Sequence, residues 1–285
     1  MPHPPVPLSP VLYRPIIEGA LREDLGRAGD LTTDAIVSPS RRASGTIAAR
    51  RAGRVAGLEV ALSAFRHLDP AVEIEIAVPD GSDAAAGDAL ARVHGTAREL
   101  LTAERTALNV LGRLCGIATT TRDLARSIAH TRARVVCTRK TTPLLRCLEK
   151  YAVRVGGGAN HRFGLDDAVL IKDNHRVLAG GAAAAVELAR QHAGNLVKIE
   201  VEVDDLEELE ALMELRVDAV LLDNMSPATL RRAVQRVDGR AITEASGGIT
   251  PETAPAIAES GVDLMSVGWL THSAPVLDVG FDLEL

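Results

Sequence analysis

The sequence predicts an α/β fold: a small N-terminal α+β unit, then a parallel sheet of repeated βα units. Three observations carry this. From about residue 130 short β-branched runs alternate with helical segments, the runs being Arg134–Thr138, Ala168–Ile171, Val197–Val203, Ala219–Leu222, Ala241–Glu244 and Leu264–Val267. The last four start at 197, 219, 241 and 264, intervals of 22 to 23 residues that hold one strand, one helix and tight turns. Each run also leads into polar or glycine residues: Arg139-Lys140, Lys172-Asp173-Asn174, Glu202 with Asp204, Asp223-Asn224, Ser246-Gly247-Gly248, and Gly268. In a (β/α) barrel the carboxyl ends of the strands converge on one face, so the set favours a closed sheet over an open, doubly wound one. No GxGxxG follows the first strand, which removes a dinucleotide-binding reading.

Ahead of this series, the proline-rich first dozen residues read as a mobile tail. Ile16, Ile17, Ala20 and Leu21 recur at helical spacing between Tyr13 and Leu25, and Gly29-Asp30-Leu31-Thr32-Thr33 reads as a turn. Ser44–Ala49 and Val72–Val78 are β-prone and flank a helical Leu58–Leu68, with turns at Asp80-Gly81 and Gly87-Asp88. A long helix follows from Glu99 to about Ser127, with an interruption expected near Cys115-Gly116. Later helices are expected at Ala182–His192, Leu206–Leu215, Pro227–Val237 and Pro251–Ser260.

Composition narrows the function. The 285 residues are 46% hydrophobic and 25% charged, enough for a sizeable core, with a net charge of −6 and only 2% aromatics. An acidic balance disfavours duplex nucleic acid as a partner, and so few aromatics make no base-stacking platform. Cys115, Cys137 and Cys147 are odd in number and lack CxxC spacing, which argues against a disulfide framework or a zinc ribbon. The start has no basic, apolar signal pattern, and no apolar run suits a membrane span, so a cytoplasmic enzyme is expected.

The residues at the strand ends fall into three chemical kinds. Arg139, Lys140, His161, Arg162 and Lys172 are cationic in an acidic chain, which points to an anionic small ligand. Arg139 and Lys140 can face one site only if the strand has ended before them. Glu202 and Asp223, at the ends of consecutive strands, suit a magnesium ion that also holds ligand phosphates. Glu200 shares the parity of Glu202, and a carboxylate there needs an ion pair or a functional role. Ser246, Gly247, Gly248 and Gly268 let backbone N–H groups approach a phosphate. The glycine-rich Val155–Gly164 stretch carries His161 and Arg162 and reads as a lid over anions. No Ser-His-Asp order, nucleophile elbow or HExxH is present. A cationic pocket, a carboxylate pair and a phosphate cradle are the parts for transfer from a phosphorylated sugar, where positioning and electrostatics do most of the catalysis.

The stretches GDLTTDAIV, LTAERTALNVLGRLCGIAT, TRKTTP, KYAVRVGGGANHRFGLDDAVLIKDNH, IEVEVD, LLDN, EASGGIT and VDLMSVGWLTHSAPVLDVGFDL run in order from Gly29 almost to the C-terminus. Together they resemble the quinolinate phosphoribosyltransferases. The resemblance implies a flexible tail (1–12), an N-terminal α/β open-faced sandwich (13–112), an incomplete, seven-stranded α/β barrel (113–270) and a tail returning to the first domain (271–285). It implies Mg²⁺-dependent transfer of phosphoribose from phosphoribosyl pyrophosphate to quinolinate, releasing pyrophosphate and CO₂ and giving nicotinate mononucleotide for NAD synthesis. By similarity Arg105, Arg139, His161, Arg162 and Lys172 hold the quinolinate carboxylates, with Thr138 assisting. Lys140, Glu202, Asp223, Ser246, Gly247, Gly248 and Gly268 face phosphoribosyl pyrophosphate, with Glu202 and Asp223 at the metal. Lys140, Lys172, Glu202 and Asp223 are the expected catalytic set. The family's working unit is a homodimer in which the arginine matching Arg105 crosses the subunit boundary.

Two positions depart from the family pattern. Cys137 stands where aspartate is usual, either as a thiol activated by cations or as a buried inert one. Leu144 stands where glycine is usual, a test of backbone strain. The rival within the same architecture is a paralogous phosphoribosyl-transfer protein of the molybdate-transport type with another acceptor. Other rivals are a Schiff-base lyase using Lys140 or Lys172, and a non-catalytic anion binder.

Overall fold

The computed structural model describes residues 6–284, and the chain divides into two compact units. One runs to Arg122 and also holds Thr141–Gly157 and the chain from Leu270; the other is Asp123–Lys140 with Gly158–Trp269. The domain boundaries expected at 112/113 and 270/271 thus differ from the observed division, chiefly because 113–122 and 141–157 belong to the first unit.

The first unit opens with α1 (Pro10–Leu25), three residues earlier than expected; residues 1–5 of the expected tail lie outside the described residues. Proline occupies its first turn, where its missing N–H costs nothing, and Tyr13, Ile17 and Leu21 form the buried stripe at i, i+4, i+8. The expected turn at residues 29–33 gives way to α2 (Leu31–Ile36), because the Asp30 carboxylate accepts the Thr33 N–H at 3.0 Å and caps a helix. Then come β1 (Arg42–Ala49), β2 (Gly53–Arg54), α3 (Leu58–Leu68), β3 (Glu73–Ile76), β4 (Asp83–Ala84), β5 (Ala89–Thr96) and α4 (Ala97–Ser127). Both oxygens of Asp80 accept the first free N–H groups of α3, from Gly57 (2.7 Å) and Leu58 (3.0 Å).

The expected break in the long helix is absent: α4 passes through Cys115-Gly116 without interruption. Gly116 is instead a close-approach residue, since a Cβ there would lie 2.0 Å from the Pro275 carbonyl oxygen. Gly112 serves the same segment, its carbonyl accepting the Leu277 N–H at 3.0 Å.

In the second unit the sheet strands are β6 (Arg134–Val136), β7 (Val169–Ile171), β8 (Ile199–Val203), β9 (Ala219–Asp223), β10 (Ile242–Ser246) and β11 (Leu264–Ser266). Between them lie α5 (Arg146–Val155, packed in the first unit), α6 (Asp173–Ala179), α7 (Ala182–His192), α8 (Leu206–Met213), α9 (Pro227–Val237) and α10 (Ala254–Ala258). The six strands pair in parallel in the order β6-β11-β10-β9-β8-β7. The resemblance implies seven strands; among the described residues the sheet has six, and beside β6 a single parallel bridge joins Ala159 to Val136. Back in the first unit, α11 (Trp269–His272) leads to β12 (Val279–Glu284), which pairs antiparallel with β1 in a sheet ordered β12-β1-β5-β3. Gly45 of β1 admits the Phe281 ring, which a Cβ would strike at 2.0 Å.

Both faces of the parallel sheet are covered, so β8 is buried at all five positions although it reads Ile-Glu-Val-Glu-Val. Two acidic side chains on one buried face are costly unless something answers them. What answers them is the centre of the site.

Candidate active site

Pairing register decides which side chains share a face. Glu202 pairs with Leu221, and Leu221 with Glu244; one step further along, Asp223 pairs with Ser246 and Ser246 with Ser266. One face of the sheet therefore carries Glu200 and Glu202 from β8, Asp223 from β9, and Glu244 and Ser246 from β10. The side chains on this face form two tiers.

The upper tier lies at the carboxyl ends. Lys172 follows β7 directly and its ammonium pairs with the Glu202 carboxylate; the lysine side chain is 47% exposed and the glutamate 12%. Asn224 Nδ2 donates to Asp223 Oδ2 at 2.6 Å, and the Asn224 N–H donates to the Ser246 carbonyl at 2.8 Å. Gly247 and Gly248 follow in left-handed conformations, φ 87° and 60°. Gly247 has a second constraint: a Cβ would meet Asn224 Oδ1 at 2.0 Å, whereas at Gly248 it would enter open space. Two such residues in succession expose backbone N–H groups to one side, the geometry of an anion cradle. Gly268 is half-buried just past β11. Among the described residues Glu202 and Asp223 each make one side-chain hydrogen bond through one oxygen, leaving hard oxygen donors at neighbouring strand ends, a donor set that fits a hydrated magnesium ion.

The lower tier is buried. His161 Nδ1 accepts the Arg162 backbone N–H at 2.8 Å, so the ring hydrogen sits on Nε2, which lies 2.9 Å from Glu200 Oε2 and 3.6 Å from Glu244 Oε2. Glu200 thus pairs with a histidine, not with one of the lysines. Burial, and then the charge of Glu200, push the Glu244 carboxyl up to about 7, against the pull of His161. These groups line a cleft of about 420 Å³ with Arg162, Asp167 and Lys198.

The Arg162 guanidinium donates to the Ala168 carbonyl at 3.2 Å. Its pKa is lowered by burial and by the charge of Arg139, with Glu200 opposing. The strand before Arg139 stops at Val136, and the Lys140 N–H turns back to Thr138 Oγ1 at 3.1 Å. Arg139 and Lys140 therefore escape strand alternation, as a shared site requires; Thr138 and Arg139 are half-buried and Lys140 exposed. The lid expected at residues 155–164 is corrected: the Ala159 bridge, the His161–Glu200 bond and the Arg162–Ala168 bond pin this segment to the sheet. Cys137 is fully buried with its thiol on Asn160 Oδ1 at 3.3 Å, the inert of its two readings. Arg105 lies on α4 in the first unit, 63% exposed. The residue missed from sequence is Glu244; the sequence marks Asn224 only as a polar strand-end residue, without its contact to Gly247. The positive φ of 53° at Asn224 has no sequence signature beyond its place after a strand, but Glu244 was accessible from parity with Ser246 on a buried strand.

Family models for the quinolinate phosphoribosyl transferase N-terminal and C-terminal domains match residues 30–115 and 117–282. The chain is 43% identical over 263 residues to the "Probable nicotinate-nucleotide pyrophosphorylase [carboxylating]" of Bacillus subtilis, covering 92% of this chain and 90% of that protein. With the "Nicotinate-nucleotide pyrophosphorylase [carboxylating]" of Mycobacterium leprae it shares 44% over 275 residues, 95% and 96% of the two chains. Among solved structures, NadC from Streptococcus pyogenes superposes with a TM-score of 0.94 at 39% identity, covering 98% of this chain and 99% of that one. The Francisella tularensis nicotinate-nucleotide pyrophosphorylase gives 0.92 at 34% identity over the whole of both chains. Sequence motifs, two-domain match and superposition agree, and the chain belongs to the quinolinate phosphoribosyl transferase family of enzymes.

Proposed function

We propose that this enzyme transfers phosphoribose from phosphoribosyl pyrophosphate to quinolinate, with loss of CO₂, to give nicotinate mononucleotide and pyrophosphate. The observation that carries the proposal is the half-buried Arg162 guanidinium. Burial, and then the charge of Arg139, disfavour its charged form, and a bound anion would relieve both. Quinolinate is a dianion, and these two arginines with Lys172 match its carboxylates. His161, with Nδ1 on the Arg162 N–H and its Nε2–H on Glu200, orients Arg162 instead of meeting the acceptor itself.

The two tiers divide the work. Lys172, in the upper tier, has its ammonium on Glu202 and nearly half of its side chain accessible, so it can also meet an acceptor carboxylate. Ser246, Gly247, Gly248 and Gly268 hold the 5′-phosphate, Lys140 the pyrophosphate, and Glu202 with Asp223 the ribose hydroxyls. Magnesium, held by Glu202 and Asp223 directly or through water, would neutralise charge on the leaving pyrophosphate. Positive charge that builds on the ribose ring as the pyrophosphate departs faces these two carboxylates. Once the pyridine nitrogen is ribosylated, its positive charge stabilises the electron pair left on the adjacent ring carbon as CO₂ departs. That carbon then takes a proton from water, so no protein nucleophile is needed. The proposal includes a cytoplasmic homodimer in which Arg105 of the partner subunit completes the acceptor site. Among the described residues, no helix is long and apolar enough to cross a membrane.

The test is an assay of the purified protein with phosphoribosyl pyrophosphate, Mg²⁺ and quinolinate, reading out nicotinate mononucleotide, with nicotinate as control acceptor. Product from quinolinate is expected; product from nicotinate alone would reject the substrate assignment.

A further inference from the structure

Glu244 is a buried carboxylate that the proposed reaction leaves unused. It is 1% exposed, and among the described residues neither of its carboxylate oxygens has a hydrogen-bond partner. The groups packed around it are few. Glu200 faces it from β8 and His161 from the segment after Ala159. In register, β9 presents Leu221 and β11 presents Leu264; the Ser266 hydroxyl donates to the Ala245 carbonyl at 3.3 Å and is near enough to Glu244 to oppose, with His161, the rise of its carboxyl. Arg162, Lys198 and Asp167 line the adjoining cleft. His161 has one Nε2–H to offer, already within 2.9 Å of Glu200, so it cannot also satisfy Glu244 at 3.6 Å.

Two devices could relieve a pair of buried carboxylates here, a metal ion or a proton. The candidate ligand atoms of His161, Glu200 and Glu244 lie within 4.8 Å of one another. A metal on Nε2, however, would strip the ring of its only hydrogen while Nδ1 still accepts from Arg162, leaving an imidazolate. A proton carries no such penalty.

We propose that Glu244 is a positioning residue that holds a proton while the acceptor binds, keeping the Glu200–His161–Glu244 cluster beside Arg162 at one negative charge instead of two. The inference rests on quinolinate as acceptor. With Glu244 neutral and donating, Glu200 remains the one acceptor for His161, and the ring stays fixed against the Arg162 backbone. Loss of the proton to solvent adds a second negative charge next to the guanidinium that grips a dianion. Acceptor binding therefore weakens as pH rises. The elevated carboxyl of Glu244 places that transition near neutrality.

The experiment measures the quinolinate KM and kcat of the unsubstituted enzyme and of Glu244→Gln across neutral pH. A unit charge several ångströms away at intermediate dielectric predicts a KM rise of roughly tenfold from about pH 6 to about pH 8.5 in the unsubstituted enzyme. Glu244→Gln, locked in the neutral form, should show a flat KM, while a merely structural role would lower folded yield and leave the KM–pH slope in place. Carbon NMR of the unsubstituted protein labelled at glutamate Cδ supplies a second readout that needs neither turnover nor a folded variant. One carboxyl titrating near neutrality is expected. Complete ionisation of all glutamates by about pH 5.5 would overturn the inference whatever the kinetics. So would a KM that is independent of pH in the unsubstituted enzyme. Absence of any turnover with quinolinate defeats the substrate assignment instead, and the NMR titration then decides the protonation of Glu244.

Discussion

Arg162 holds three relations at once: its backbone N–H orients His161, its guanidinium reaches the Ala168 carbonyl, and its charge opposes that of Arg139. Truncating the side chain leaves the backbone bond to His161 intact, so the histidine keeps its tautomer and only the cation is lost. Arg162→Ala should then raise the quinolinate KM about ten- to hundredfold, the worth of one charge-assisted contact, with the KM for phosphoribosyl pyrophosphate changing far less. Steady-state kinetics with each substrate varied in turn separate the two, and an unchanged quinolinate KM removes Arg162 from the acceptor site. Leu144 shows the opposite case, a residue tolerated rather than used. Its φ of 68° is left-handed and its side chain is 89% exposed, so it gains no packing in exchange for strain. Leu144→Gly should stabilise the fold by about 0.5–1 kcal/mol, the relief of strain exceeding the added chain entropy, and differential scanning calorimetry should record a small rise in Tm.

At the scale of elements, the site depends on how the ends of β9 and β10 lock together. Asn224 donates from its backbone to Ser246 and leaves its side-chain oxygen where Gly247 has no Cβ. Gly247→Ala must move Asn224, which is bonded to Asp223, so one methyl disturbs both the Gly247-Gly248 turn and the Asp223 carboxylate proposed to hold phosphoribosyl pyrophosphate. The expected outcome is a rise of roughly tenfold or more in the KM for phosphoribosyl pyrophosphate, while Gly248→Ala, which enters open space and bears only its φ, costs less. Equal effects at the two positions would show that conformation alone, and not the Asn224 contact, sets the cradle. Elements also mark where sequence reading succeeds and fails. Sequence reading located β8 to β11 by the period of the βα units and β6 and β7 by their β-branched runs, because burial on both faces leaves such runs for turns to punctuate. It misplaced a break at Gly116, because a glycine that admits a distant carbonyl looks, in one dimension, the same as one that ends a helix. It passed over β5, whose partners β1 and β3 are set by contacts far along the chain.

For the whole molecule, legibility depends on range. Lys172 with Glu202, and Asp223 with Ser246, lie at strand ends that a regular repeat brings into register, so sequence spacing suffices to group them. The Glu200–His161–Glu244 cluster joins three separate segments, and the register of β8 to β10 is what brings both carboxylates beside one histidine. Arg105 lies further still from sequence logic, on an exposed face of α4 with its guanidinium 3.6 Å from the neighbouring Glu104. An exposed arginine whose partner is its sequence neighbour gains little from that ion pair, which leaves it available to another subunit. If each acceptor site takes Arg105 of the partner subunit, an Arg105→Ala homodimer and a Lys172→Ala homodimer are each defective at both sites for different reasons. Mixed through dissociation and reassociation, half of the dimers become hybrids, and each hybrid has one site lacking neither residue. Activity should therefore recover to about a quarter of the unsubstituted level in an equimolar mixture, by the statistics of a two-fold symmetric pair. Sedimentation at the assay concentration establishes the dimer independently. A dimeric mixture no more active than the mean of its parents would return Arg105 to its own subunit or to the surface.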